Sequence, residues 1–379
     1  MKITGSKKTL ILGILIFLIF FVISAVGTFS SLAYLNKESV TISPLAALKG
    51  TTSKPTAGEE VCPLNGAKYS KEMKDTWEKR RPLGVMIENA PPARPQSGLS
   101  RADVVYEAVA EGGITRFLAM FYCQDAGDVA PVRSARVYFL DWLSEYGLNP
   151  LYSHVGGANV AGPANALGLI RQWGWTKEND LDQFSLGFPT YWRGSDKEAP
   201  HNVHATTQKL WEAAEKRNYT QKNPDGKLWS ETFSAWNFKD DAKLETRPAS
   251  GSAVVNFWNV NDDFTVEWKY DKESNTYKRF QSGSIQKDAL TDEELAPKVL
   301  IVQFAKETDL YDKEAHILYK TTGSGDAVVF QDGTAQKVTW KKTDRETRTR
   351  YYDSSGKEIT FNRGQIWVQT VHTGAVVKY

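Results

Sequence analysis

The first long apolar segment of the chain runs from Leu10 to Leu35 and contains no charged residue. A helix needs about 20 apolar residues to cross a hydrocarbon core, so this segment predicts a transmembrane anchor. Lys2, Lys7 and Lys8 precede it, and the positive-inside rule makes residues 1–9 a cytoplasmic stub. A cleavable secretory signal is the alternative, but its apolar region is usually only about 7 to 15 residues. We expect an uncleaved, single-pass anchor, and both interpretations export the body.

The pattern after the anchor changes twice. Residues 36–60 are rich in Ser, Thr, Pro, Ala and Gly, which predicts a flexible spacer. Buried-type strands and helical patterns then alternate over residues 61–245. Residues 246–379 contain short segments in which apolar and polar residues alternate, as in an antiparallel sheet with one solvated face. The predicted fold class is α+β, with a transmembrane helix, a mixed α/β first domain and a mainly antiparallel, all-β second domain.

A hairpin is predicted where Val104–Glu111 and Ile114–Tyr122 flank Gly112 and Gly113. With a two-residue turn, paired positions share a face of the sheet. The expected pairs are Glu111 with Ile114, Val109 with Arg116, and Glu107 with Leu118.

This register would bring Glu107, Glu111 and Arg116 together on one face. A rise of about 3.3 Å per residue separates the backbones of the two glutamates by about 13 Å. Glycosidase carboxyls lie roughly 5 to 9.5 Å apart, so these two alone do not fit an acid and base pair. The favoured interpretation is a charged face in which Arg116 bridges the carboxylates.

Composition and charge restrict the function further. The chain has 47 Lys and Arg against 45 Asp and Glu, with no basic stripe, and we expect no nucleic-acid partner. Its two cysteines, Cys62 and Cys123, are too few for a metal cluster. Export permits a disulfide between them, while two unpaired thiols, with Cys123 in a buried strand, remain equally open.

Several long strings resemble the YerB-like predicted lipoproteins of bacteria, which carry paired N- and C-terminal domains of unknown function. In the first region these are ARPQSGLSRADVVYE (93–107), EGGITRFLAMF (111–121), PVRSAR (131–136), HVGG (154–157) and APHNVHATT (199–207). In the second they are WKYDKESNTYKRFQSG (268–283) and KEITFNRGQIWVQTV (357–371). The resemblance implies a cell-envelope protein associated with wall assembly, and it supplies no catalytic residue.

Two positions depart from the family pattern. The lipoproteins have a cysteine that closes the signal sequence, whereas this chain has none before Cys62. The resemblance therefore supports surface anchoring without lipidation. Lys298 stands where the family pattern has an asparagine before an apolar strand.

Arg133 and Arg136 surround Ser134 at the start of a predicted helix. Cations are disfavoured at this positive end of the helix dipole, so their presence requires a partner. A bound anion would provide one, because helix N-termini and guanidinium groups both suit phosphate or carboxylate. Buried pairing with Glu107 or Glu111 would provide another, and the two explanations are compatible.

Histidines supply the remaining candidates. His154 ends a strand and is the best candidate for proton transfer, with a hydrogen-bonded structural role as the alternative. His201 and His204 have an H-x-x-H spacing but lack the further ligands of a zinc site, so we predict no metal. Asn202 between them is expected to point into a cleft, because loops often carry function.

The sequence contains no recognisable nucleophile motif. We therefore predict a non-catalytic envelope protein, without cofactors, whose first domain binds a wall component or a wall-synthesis protein. The alternative is an enzyme acting on wall glycan or peptide, with Glu107 or Glu111 as general acid or base and His154 as a further catalytic candidate. The predicted ligand-binding residues are Arg94, Glu107, Glu111, Arg116, Arg133, Arg136, His154 and Asn202.

Overall fold

The computed structural model describes residues 57–257 and 262–379. The predicted stub, the anchor over 10–35 and the spacer up to residue 56 lie outside this part of the chain. Within it, no helix has the length and apolar character needed to cross a membrane.

The described residues form mostly short strands with few helices. The helices are α1 Lys71–Trp77, α2 Val137–Leu143, α3 Ala166–Gln172, α4 Gln183–Leu186 and α5 Thr207–Lys216. The strands are β1 Glu60–Val61, β2 Lys68–Tyr69, β3 Leu83–Glu88, β4 Val104–Glu111, β5 Ile114–Phe121, β6 Leu151–His154, β7 Asp180–Asp182, β8 Tyr191–Arg193, β9 Val203–Ala205, β10 Asn237–Lys239, β11 Ser252–Asn256, β12 Thr265–Asp271, β13 Thr276–Gln281, β14 Ser284–Ile285, β15 Val299–Ala305, β16 Glu307–Asp309, β17 Ile317–Tyr319, β18 Gly323–Gln331, β19 Thr334–Lys342, β20 Arg350–Tyr352, β21 Thr360–Asn362, β22 Ile366–His372 and β23 Val377–Lys378.

A ten-stranded sheet runs through both predicted domains in the order β20-β19-β18-β15-β22-β4-β5-β3-β6-β7. Five of its strands come from beyond residue 245. Strand β22 lies parallel to β15 on one side and parallel to β4 on the other. The sheet is therefore mixed, and the expected change of architecture near residue 245 does not interrupt it.

A second, five-stranded antiparallel sheet has the order β14-β13-β12-β11-β23. Its side chains pack on the larger sheet, because Trp268 of β12 meets Trp367 of β22 with ring centroids 5.4 Å apart. Arg279 of β13 reaches Glu107 of β4 at 2.7 Å. An aromatic layer and a buried ion pair thus hold the two sheets together.

Helix α2 packs against the larger sheet through Trp142, which stacks on Tyr106 of β4 with ring centroids 5.6 Å apart. Just after this helix, Glu145 is fully buried and accepts a hydrogen bond from Lys342 of β19 at 2.7 Å. The hydroxyl of Thr349 donates to the same carboxylate at 2.6 Å. A second buried ion pair thus joins the two regions of the sequence.

The hairpin of β4 and β5 forms as predicted, but its register was predicted wrongly. Glu111 pairs with Ile114, whereas Val109 pairs with Thr115, so one residue is bulged between Val109 and Glu111. A β-bulge shifts all later pairs by one position and turns side chains to the other face. Glu107 consequently pairs with Phe117, and it does not share a face with Arg116.

Cys62 and Cys123 form a disulfide that joins the segment after β1 to the end of the hairpin. Beside it lies Asp103, which is fully buried. Its carboxyl accepts hydrogen bonds from the amides of Tyr122 at 2.8 Å and Cys123 at 2.9 Å. Burial raises the pKa of Asp103 to about 7, although these two amides oppose the rise.

Asp103 should make stability depend on pH. Its folded-state pKa lies above the unfolded value of about 3.9. The stabilisation by the neutral acid is therefore complete below about pH 4 and is lost as the pH rises through about 7. As the pH rises from about 5 to 8, we expect the free energy of unfolding of wild type to fall by roughly 2 to 3 kcal/mol more than that of Asp103→Asn, as measured by urea unfolding. Equal losses in the two proteins would contradict a raised pKa.

Candidate functional site

Three arginines and two glutamates meet where β3 and β4 end and β5 begins. Glu111 accepts a hydrogen bond from Arg116 and a second from Arg136 at 2.5 Å. Burial alone would raise the pKa of Glu111, but the charges of Arg116 and Arg136 outweigh it and hold the pKa below its usual value. Glu111 is therefore a carboxylate at neutral pH.

The position of Arg136 explains a cation at the start of α2. Arg136 is the N-cap residue, and no side chain caps this helix end. Its guanidinium group turns to Glu111 and also donates to the carbonyl oxygen of Ala135 at 2.8 Å. The pairing with Glu111 that the sequence suggested is thus present, and a bound anion as a second partner stays a prediction.

The second half of this group is centred on Glu88 at the end of β3. Its carboxylate lies 3.0 Å from Arg133 and 3.0 Å from Nδ1 of His201. Glu88 is also the register partner of Arg116 across β3 and β5, so the two halves adjoin. We call Glu88, Glu111, Arg116, Arg133 and Arg136 the arginine cluster.

The arginine cluster carries three positive and two negative charges. It is closed at its base, where the side chains of Glu88 and Arg116 are only 4% and 5% exposed. It is open at its rim, where the side chains of Arg133 and Glu111 are 21% and 25% exposed. One unit of positive charge is therefore uncompensated within the cluster, because Arg116 and Arg136 share the carboxylate of Glu111.

Glu107 lies apart from the arginine cluster, between the two sheets. It is fully buried, and its carboxylate accepts five hydrogen bonds. The donors are Asn89, Thr115, Arg279, Trp367 and Gln369. All lone-pair directions of this carboxylate are occupied and solvent does not reach it, so it is suited to joining the sheets. The interpretation of Glu107 as a general acid or base therefore has no support.

Two further predicted residues, Arg94 and Asn202, donate hydrogen bonds to backbone carbonyl oxygens. Arg94 donates to the carbonyl oxygen of Asn89 at 3.0 Å and to that of Asp263 at 3.1 Å. Asn202 donates to the carbonyl oxygen of Gly194 and accepts from Arg193, both at 2.8 Å. These contacts satisfy both side chains within the protein, and neither residue pairs with the arginine cluster.

His154 lies at the end of β6, beside the parallel strand β7. Its ring nitrogens face two acceptors, the carbonyl oxygen of Gly156 at 2.7 Å and Asp180 at 2.8 Å. Burial alone would lower the pKa of His154, but Asp180 and then Asp182 outweigh it and raise the pKa above its usual value. Both nitrogens therefore donate from an imidazolium ring, which leaves neither available to take a proton from a substrate.

An open cleft of about 620 Å³ begins at this histidine. Its charged and hydroxyl-bearing lining consists of His154, Arg171, Thr176, Lys177, Asp180, Asp182, Ser185, Arg217 and Tyr219. We call this the His154 cleft. Of these residues, only His154 was predicted from the sequence. The missed signal was the alternation of Asp180, Leu181 and Asp182, which turns two carboxylates to one side of a short strand.

Metal-ligating side chains converge at two places within the described residues. Cys62 and Cys123 with Asp103 form the first, but both sulfurs are used in the disulfide. At the second, Asp312, Glu314 and His316, Nδ1 of His316 already lies 2.8 Å from Asp312. His204, which we did not expect to bind a metal, likewise has carboxylate partners at both ring nitrogens, each at 3.0 Å. A disulfide and hydrogen bonds within the protein account for these arrangements.

Two family models match the chain. Residues 69–220 match the family described as "Protein of unknown function (DUF3048) N-terminal domain". Residues 253–368 match the corresponding C-terminal domain. Both ranges contribute strands to the ten-stranded sheet.

Similar proteins are known from Bacillus subtilis. A protein of strain 168, named "Putative lipoprotein YerB", is 31% identical over 318 residues, which cover 83% of this chain and 87% of the relative. The crystal structure of YerB from Bacillus subtilis superposes with a TM-score of 0.69 at 27% identity, covering 84% of this chain and all of that one. The chain therefore belongs to the DUF3048 family, as its sequence strings indicated.

Proposed function

We propose that this protein is an extracytoplasmic component of the bacterial cell envelope, held at the membrane by an uncleaved helix over residues 10–35. Two observations support the location. The apolar segment has the length and flanking charges of a single-pass anchor. The related protein from Bacillus subtilis is named as a lipoprotein, which is a class of membrane-anchored protein.

We further propose that the arginine cluster binds an anionic cell-wall polymer without catalysing a reaction on it. The observation that carries this proposal is the excess of one positive charge in the arginine cluster, whose rim is open to solvent. Guanidinium groups suit phosphate and carboxylate because they donate in a planar fork. Arg133 is the member best placed for this contact, since its side chain is 21% exposed and has a single carboxylate partner.

The test is binding of the full-length protein, purified in detergent, to isolated cell walls. We expect Arg133→Gln combined with Arg136→Gln to weaken binding at least tenfold, because two of the three guanidinium groups are removed. Co-sedimentation with walls that retain or lack their anionic polymer measures the effect. Binding should also weaken as the salt concentration rises.

A matched control is Arg363→Gln. Arg363 is also a partly exposed arginine in an ion pair, with its side chain 28% exposed and Asp240 at 2.9 Å. It should bind walls like wild type. Urea unfolding of both variants separates a lost ligand contact from lost stability. Undiminished binding by the double variant, with unfolding unchanged, would refute the role of the arginine cluster.

A further inference from the structure

The His154 cleft has a positive charge balance. Arg171, Lys177 and Arg217 line it, together with the imidazolium of His154. Asp180 and Asp182 oppose these four cations with two negative charges. A net charge of about +2 in a confined space favours an anionic ligand, because low-dielectric walls concentrate the field.

The two aspartates are built to accept hydrogen bonds. Oδ1 of Asp182 accepts a hydrogen bond from the amide of Gly156 at 2.8 Å, and Oδ1 of Asp180 accepts one from the His154 ring at 2.8 Å. These bonds fix the orientation of each carboxylate. Among the described residues, no hydrogen bond to the second oxygen of either carboxylate is present, and both side chains remain partly exposed, at 12% and 18%. Such oxygens accept hydroxyl groups.

One cation of the cleft lining is held in place by hydrogen bonds. Arg217 donates to the carbonyl oxygen of Asp180 at 3.1 Å and to the hydroxyl of Ser185 at 3.2 Å. These two contacts fix the guanidinium group in the lining of the same cleft. An anion and hydroxyl groups on one ligand can therefore be bound at adjacent positions.

An exposed aromatic ring stands beside this cleft. Phe184 of α4 is 76% exposed, directly before Ser185 in the lining. Its ring lies against the turn after His154, since a Cβ added to Gly156 would come within 3.1 Å of it. Large aromatic side chains are rarely left so exposed, and a flat ring can cover the apolar face of a sugar or polyol.

We propose that the His154 cleft binds a polyhydroxylated phosphate ester, such as a sugar phosphate or a polyol phosphate. The phosphate contacts Arg217, Arg171 and Lys177, and the hydroxyl groups donate to Asp180 and Asp182. A cleft of about 620 Å³ lies within the usual range of roughly 300 to 1,000 Å³ for small-molecule sites. The cleft binds without reacting, because both ring nitrogens of His154 are already engaged.

The smallest probe with both chemistries is glycerol phosphate. We expect the full-length protein to bind glycerol phosphate at least tenfold more tightly than inorganic phosphate, as measured by isothermal titration calorimetry, and to show no binding of glycerol. Arg171→Ala combined with Lys177→Ala should weaken the binding of both anions at least tenfold. These two side chains are exposed, so the fold should tolerate their loss.

Asp182→Asn provides the sharper test. It retains an acceptor for the amide of Gly156 and removes the carboxylate charge. The preference for glycerol phosphate over phosphate should fall at least fivefold, while binding of phosphate itself should be equal or tighter. Lys227→Ala, an exposed lysine outside the cleft lining, is the matched control and should bind like wild type.

The inference is overturned if phosphate and glycerol phosphate bind equally, or if the cleft variants bind like wild type. It does not depend on the arginine cluster. Arg133→Gln combined with Arg136→Gln should leave glycerol phosphate binding unchanged, even if it abolishes wall binding. Loss of glycerol phosphate binding in that variant alone would assign the ligand to the arginine cluster and reject the His154 cleft.

Discussion

Replacing Glu107 with Gln is expected to lower the free energy of unfolding by about 3 to 5 kcal/mol. The substitution keeps the size of the side chain but leaves the guanidinium group of Arg279 without its carboxylate, 2.7 Å away. Both side chains are at most 1% exposed, so water cannot replace the lost partner. Urea unfolding followed by tryptophan fluorescence measures the change, because Trp268 and Trp367 lie at this contact.

The control is an ion pair at the surface. Lys287 lies 3.1 Å from Asp292, with side-chain exposures of 44% and 85%. Lys287→Ala should cost less than about 1 kcal/mol, as exposed pairs do. Adding Arg279→Met to Glu107→Gln removes the unpaired charge and should recover part of the loss. If Glu107→Gln costs no more than Lys287→Ala, the buried pair does not hold the sheets together.

Removal of the disulfide is expected to have the second large effect. Cys62 and Cys123 are 61 residues apart in sequence, and opening a loop of this length costs about 4 kcal/mol in the chain-entropy account. Wild type should therefore unfold at a lower urea concentration in the presence of reductant. Cys62→Ala combined with Cys123→Ala should be destabilised by a similar amount and should not respond to reductant.

Reductant that leaves wild type unchanged would contradict this expectation, provided that thiol titration shows both sulfurs to be reduced. A reductant response in the double variant would point to a cause other than the disulfide. The slope of unfolding against urea should rise when the cross-link is removed, because the unfolded chain then expands and exposes more surface.

Sequence periodicity predicted the local elements well because it reports which faces of strands are buried. The hairpin at Gly112 and Gly113 follows from turn residues between two apolar runs, and the structure contains it. The bulge before Glu111 does not leave such a signal. A bulge turns the side chains beyond it to the other face of the sheet. The predicted register, which lacked the bulge, therefore placed Glu107 wrongly on the same face as Arg116.

Contacts between distant parts of the chain were outside the reach of the sequence. Glu107 and Arg279 are separated by 172 positions, and no local pattern indicates that they meet. The same holds for the His154 cleft, where Arg217, directly after α5, reaches the start of β7. The arginines before α2 were identified correctly as requiring a partner, since the helix dipole is a local property.

The place of β22 has a consequence for the order in which the polypeptide can mature. This strand is made from residues near the C-terminus, yet it lies between β15 and β4 in the middle of the larger sheet. Until it arrives, β4 has an unpaired edge of buried-type residues. With the proposed anchor, the part of the body next to the anchor crosses the membrane first, so the edge of β4 must be kept from aggregating until translocation ends. Chains interrupted before residue 366 should therefore be substrates for quality-control proteases at the cell surface.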